Sequence, residues 1–161
     1  MNRLILLLYT LATSAAMADI QISQGYIRAT PPGSPTTAAF MTIKNTANEA
    51  VDIKSAQSQL ARSTELHTAL NEDGVMKMRK LEQISIPANG EVVLKPGSYH
   101  LMLIGLNKPA KEGEEVMLVL KFSDGSMQHL TLPVKKVMQG MQMSHSHEPA
   151  AQGHNKMKHE H

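Results

Sequence analysis

The sequence predicts an all-β fold, an antiparallel β-sandwich, and three observations predict it. Short segments of alternating polarity recur between Asp19 and Lys136. Turn-forming Gly, Asn, Asp and Pro residues separate them. No long segment keeps a sustained helical apolar period. With 161 residues, 42% hydrophobic and 19% charged, the chain can bury one core of about one domain. A net charge of +2 gives no reason to expect a nucleic-acid partner. Cys is absent, which excludes a disulfide scaffold, Cys-based zinc, iron–sulfur clusters, blue copper and a thiol nucleophile. The chain instead holds 12 Met and 8 His.

The elements follow in order. Met1-Asn2-Arg3 is a basic start, Leu4 to Ala12 is mostly apolar, and Ala16-Met17-Ala18 has the small-x-small pattern of a cleavage site. Residues 1–18 thus read as a secretory signal peptide. The alternative, a membrane anchor, needs an apolar run of roughly 20 residues, longer than this one. No Cys follows the site to carry a lipid, so a lipoprotein anchor is not expected. The mature chain is expected to start at Asp19. Outside the cytoplasm a thiolate ligand risks disulfide formation, and a thioether does not.

Residues 19–136 form the expected domain. Ile20 to Ile22 and Tyr26 to Ala29 alternate, and Thr30 to Pro35 is a turn-rich loop. Ala38 to Lys44, Val51 to Ala56, Glu65 to Ala69 and Val75 to Lys80 are further strands. Ile84 to Pro87, Glu91 to Leu94, Leu101 to Leu106, Val116 to Phe122 and Gln128 to Val134 complete the set. Gln57 to Arg62 fits a helical turn. The main turns are Asn71 to Gly74, Asn89-Gly90, Pro96 to Ser98 and Ser123 to Ser126. From Val137 to His161 large apolar residues are scarce, so residues 137–161 read as a flexible tail without a core.

The candidate chemistry lies in His and Met. His100-Leu101-Met102 begins an apolar strand, and residues two apart on a strand face the same way, roughly 7 Å apart. Met76-Lys77-Met78 repeats that spacing on another strand, with His67 across the Asn71 to Gly74 turn. Hairpin register decides whether His67 meets Met78. A tight hairpin centred between Glu72 and Asp73 sets them opposite. A type I turn with Gly74 in a bulge pairs Thr68 with Met78 and turns His67 away. Both registers remain open from sequence. Two imidazoles and two thioethers are neutral and soft, which suits Cu(I) and disfavours hard divalent ions. A Met on a strand is more often core filler, the reading given to Met41 and Met117. Met127 reads as packing or turn surface, His129 as a surface or hydrogen-bonded residue, and Met76 as packing beneath the site or a spare thioether.

The tail carries Met138, Met141, Met143 and Met157 with His145, His147, His154, His159 and His161. Imidazole suits Cu(II), Ni(II) and Zn(II), and the Met cluster adds Cu(I), so the tail is a candidate second metal site. The alternative is a solubilising tail with weak adventitious binding.

In the chain, His67 is followed by ten residues, Met78, twenty-one residues and then His100-Leu101-Met102. That pattern resembles the periplasmic copper chaperone family of the PCuAC type. The flanks Glu65-Leu66-His67, Asp73 to Met76, Pro96-Gly97 and Leu103 to Leu106 are similar to the family too. The resemblance covers Ile20 to about Val134. It implies a cupredoxin-like Greek-key β-sandwich in the periplasm with a Cu(I) site of His67, Met78, His100 and Met102. It also implies delivery to the binuclear copper centre of cytochrome c oxidase, with oxidase subunit II or a Sco-type protein as acceptor. The chain is expected to be monomeric and non-enzymatic: no nucleophile elbow, phosphate loop or His-Glu-x-x-His motif is present. The competing readings are copper storage or detoxification through the tail, and a β-sandwich interaction domain whose His and Met are incidental.

Overall fold

The computed structural model describes residues 19–136. The expected signal peptide and the whole expected tail site, Met138 to His161, lie outside the described residues. Ten strands follow in order: β1 (Ile20–Arg28), β2 (Thr36–Asn45), β3 (Val51–Ser58), β4 (Ala61–Glu72), β5 (Val75–Leu81), β6 (Ile84–Ile86), β7 (Glu91–Leu94), β8 (His100–Leu106), β9 (Glu115–Phe122) and β10 (Met127–Lys135). No helix occurs among the described residues. The expected all-β class stands.

Seven strands close on themselves in the order β4-β8-β2-β1-β10-β9-β3, with β3 meeting β4 at Ala56 and Thr64. β5 extends from β4, β6 from β3, and β7 pairs with β2. Closure refines the antiparallel expectation. A ring with an odd number of strands cannot alternate direction all the way round, so at least one neighbouring pair must be parallel. That pair is β1–β10, with Ile27 beside Val134.

The core follows from alternation. In β9, Val116, Leu118, Leu120 and Phe122 point inward and are buried. In β8, Leu101 and Leu103 do the same, and Leu66 joins them from β4. Residues between them therefore face outward, which is how β8 presents His100 and Met102 away from the core.

Two local expectations change. Gln57 to Arg62 is not a helical turn: β3 runs to Ser58 and β4 starts at Ala61. The Ser58 hydroxyl stabilises this tight connection by accepting from the Leu60 N–H at 3.2 Å and donating to the Met117 carbonyl at 3.0 Å. The two expected N-terminal segments are one strand with a bulge, where the register shifts between Ser23 and Tyr26 and Gln24 takes a φ of 54°. A Cβ at Gly25 would lie 2.5 Å from Leu132 Cδ2, so any larger residue in the bulge would make the Leu132 side chain shift.

Candidate metal centre

Register places the four expected ligands on one face. β4 and β8 pair His67 with His100 and Glu65 with Met102. β8 and β2 pair Met102 with Ala38. β4 and β5 pair Ala69 with Met78 and His67 with Lys80. Opposite residues share a face, as do residues two apart, so His67, Met78, His100 and Met102 all project from the outer side of β5-β4-β8.

The hairpin takes neither register derived from the sequence. Glu72 pairs with Val75, leaving a two-residue Asp73-Gly74 turn whose φ angles are 54° and 82°. Positive φ at both positions defines the type I′ turn, for which Asp-Gly is a preferred dipeptide. His67 and Met78 are therefore diagonal neighbours rather than directly opposed. They still share a face, because the observed register differs from the tight one by two positions.

Each imidazole has a partner that orients it. The His100 ring is buried, and its Nδ1–H donates to the Ser98 carbonyl at 2.9 Å, leaving Nε2 to carry the lone pair. The His67 Nε2–H donates to the Glu65 carboxylate at 2.9 Å, and Lys80 holds the other Glu65 oxygen at 2.8 Å. The lone pair of His67 is then on Nδ1, a buried atom with no hydrogen-bond partner. The two rings lie 5.8 Å apart between centroids, and the tilted Phe40 ring lies 6.4 Å from that of His100.

Met78, His100 and Met102 line a cleft of about 370 Å³ that Arg28, Phe40, Ala38 and Ala69 also border. His67 lies beneath its edge, outside that lining, with its side chain 12% exposed. Both thioether residues stand opposite an Ala, which leaves room at the cleft floor. Met78, on edge strand β5, is 62% exposed. Two buried or half-buried imidazoles and Met102 thus form a fixed base, with Met78 as an open rim. The residues present fit a soft monovalent metal: the donors are neutral, and an orphaned buried nitrogen waits beside them.

Among the methionines outside this set, Met41 is core, as expected, at 2% exposed. Met117 is not. It is 52% exposed, because the inward parity of β9 belongs to its neighbours Val116 and Leu118. Met127 is on the surface at 54%, and His129 is exposed. Met76 is 53% exposed on the same face as Met78, so it does not pack beneath the site. Glu65 was missed as a functional residue. Its position two before His67 on one strand is the signal that would have found it.

Burial holds the His100 pKa below its ordinary value of 6.5, against the opposing Ser98 hydrogen bond and with smaller repulsion from His67 and Arg28. Hydrogen bonds from His67 first, then Lys80, hold the Glu65 carboxyl below the usual carboxylate range. The unfolded chain therefore binds a proton at His100 before the folded one does. The metal-free protein keeps the full contribution above about pH 6.5 and loses stability as pH falls below it. Urea midpoints measured across that range should decline with acid, and His100→Gln should flatten that part of the decline.

A closed β-barrel with no helix among the described residues, and with His and Met side chains on one outer sheet face, defines a class: small cupredoxin-like β proteins. The comparisons narrow it. The family model "Putative lipoprotein LpqE-like" matches residues 20–134. "Putative lipoprotein Lxx21020" of Leifsonia xyli is 36% identical over 125 residues, covering 76% of this chain and 74% of that protein. The solution structure of CuI-DR1885 from Deinococcus radiodurans is similar at TM-score 0.60 and 31% identity, covering 79% of this chain and 83% of that one. The copper-bound PCuAC domain from PmoF2 matches at TM-score 0.63 over 73% of this chain and 93% of that one; at 20% identity it bears on the fold alone. The chain belongs to the LpqE-like family, which is the PCuAC-type family.

Proposed function

We propose that this protein is an exported copper metallochaperone that carries Cu(I) on His67, Met78, His100 and Met102. The observation that carries the reading is their shared sheet face, with the buried His67 Nδ1 left without a partner. Family membership supports it, as does the 31% identical relative whose structure holds Cu(I). The lipoprotein names among its relatives support export, and the periplasm is the proposed compartment. The chemistry is binding and release, not turnover. His100, His67 and Met102 hold the ion from below, and the exposed Met78 is the ligand an acceptor displaces first. Stepwise exchange between thioethers lets a soft ion move without ever being free. The proposed acceptor is the copper centre of cytochrome c oxidase subunit II, directly or through a Sco-type protein. The tail, Met138 to His161, is proposed as an accessory copper site.

Glu65 is assigned a positioning role. It fixes the tautomer of His67 and raises the basicity of the liganding nitrogen. Glu65→Gln should weaken Cu(I) binding about 10- to 100-fold, the usual range for such outer partners, without unfolding the chain. Competition with a Cu(I)-selective chromophore checks it, with circular dichroism as the fold control. For delivery, the Cu(I)-loaded protein is mixed anaerobically with the metal-free soluble domain of oxidase subunit II. Metal moving to that domain is the expected result; full retention by the loaded protein would overturn the delivery role.

A further inference from the structure

The cleft lined by Met78, His100 and Met102 also holds a cation that no carboxylate among the described residues neutralises. Arg28 borders it, and its guanidinium carbon lies 5.2 Å over the Phe40 ring. The Arg28 Nε is buried and has no hydrogen-bond partner. Among the described residues no carboxylate borders the cleft and no ion pair engages Arg28. A guanidinium stays charged at every accessible pH, and a part-buried charge is costly unless an anion meets it. Stacking on Phe40 offsets only part of that cost.

We propose that this cleft is a carboxylate-binding subsite with Arg28 as its charged anchor. The fork of guanidinium donors matches a planar carboxylate. Ser34 and Thr36 add hydroxyls to the lining, and Phe40, Met78 and Met102 add an apolar wall for the rest of the ligand. A volume of about 370 Å³ admits a small organic acid or one acidic side chain of a docking protein.

The subsite is also coupled to the metal, an extension that rests on the proposed Cu(I) site. Cu(I) held by four neutral ligands keeps its positive charge, and Arg28 stands one ring away across Phe40 from His100. Filling the cleft with an anion removes that repulsion, so carboxylate and Cu(I) each tighten the other by the same factor. A carboxylate is a poor ligand for soft Cu(I), so it acts through charge and not by replacing a thioether.

The test uses the full chain, first without metal. Sodium acetate is titrated in chloride-free buffer at constant ionic strength, and the Arg28 Nε–H and the Ser34 and Thr36 amides are followed by NMR. The expected result is a saturable shift at these positions. The amide response disappears in Arg28→Met and persists, weakened, in Arg28→Lys, while the Leu118 and Phe122 amides confirm that both variants fold. Absence of saturation, or an unchanged response in Arg28→Met, overturns the subsite. A parallel titration with the capped peptide Ala-Glu-Ala separates the sources. Tighter binding than acetate assigns the cleft to an acidic side chain, and equal binding assigns it to a free acid. Repeating the acetate titration on the Cu(I)-loaded chain should show about fivefold tighter binding. Unchanged affinity there overturns the coupling and leaves the metal-free result standing independently of the copper reading.

Discussion

His100→Ala should lower Cu(I) affinity by at least about 100-fold, more than any other single substitution among the proposed ligands. Outer partners of metal ligands already account for about 10- to 100-fold each, and His100 is proposed as an inner ligand with its own partner in place. It is 4% exposed, its Nδ1–H is fixed on Ser98, and its ring neighbours those of His67 and Phe40. Such a nitrogen meets the ion with little left to order. Met78 sits at the opposite extreme, 62% exposed on an edge strand, and must be immobilised to bind. Met78→Ala should therefore cost less than His100→Ala. Competition titrations of the two variants rank them. Equal losses would show that the rim is as fixed as the base, against the proposed role of Met78 as the first ligand to exchange.

Leu101→Ala should destabilise the fold by about 2–5 kcal/mol, against a total of about 5–15 kcal/mol for a domain. Leu101 stands between two proposed ligands, yet strand parity sends its side chain to the other face, where it is fully buried. Its loss leaves a cavity among Leu66, Leu103 and their neighbours rather than a gap in the metal centre. Urea unfolding of the metal-free protein should show a lower midpoint. Under native conditions the Cu(I) stoichiometry should stay unchanged. The pair His100→Ala and Leu101→Ala thus separates the two faces of one strand: one change acts on metal, the next on stability.

What the sequence made legible follows strand parity. β8 was readable because His100, Met102 and the core residues Leu101 and Leu103 alternate cleanly. β9 was readable as a strand but not in parity: Val116-Met117-Leu118-Val119-Leu120 is apolar at every position, so Met117 looked like core. The hairpin register turned on which dipeptide of Asn71-Glu72-Asp73-Gly74 forms the turn. Asp73 taking a positive φ decided it, a choice shared between local preference and pairing along all of β4 and β5. Barrel closure sets β1 beside β10, a pairing of distant segments that carries no local sequence signal. Arg28 reaches the centre across two more pairings of the ring, β1 with β2 and β2 with β8. Glu65 was within reach of the parity rule, but the resemblance drew attention to the ligands and not to the residue that orients one of them.

The proposed site holds Cu(I) on four side chains of one folded face, independent of the tail. An anaerobic Cu(I) competition titration compares residues 19–136 with the same segment carrying Met78→Ala and His100→Ala. One tight equivalent is expected in the first and none in the second. Tight binding that appears only when residues 137–161 are restored would contradict it and place copper on the tail.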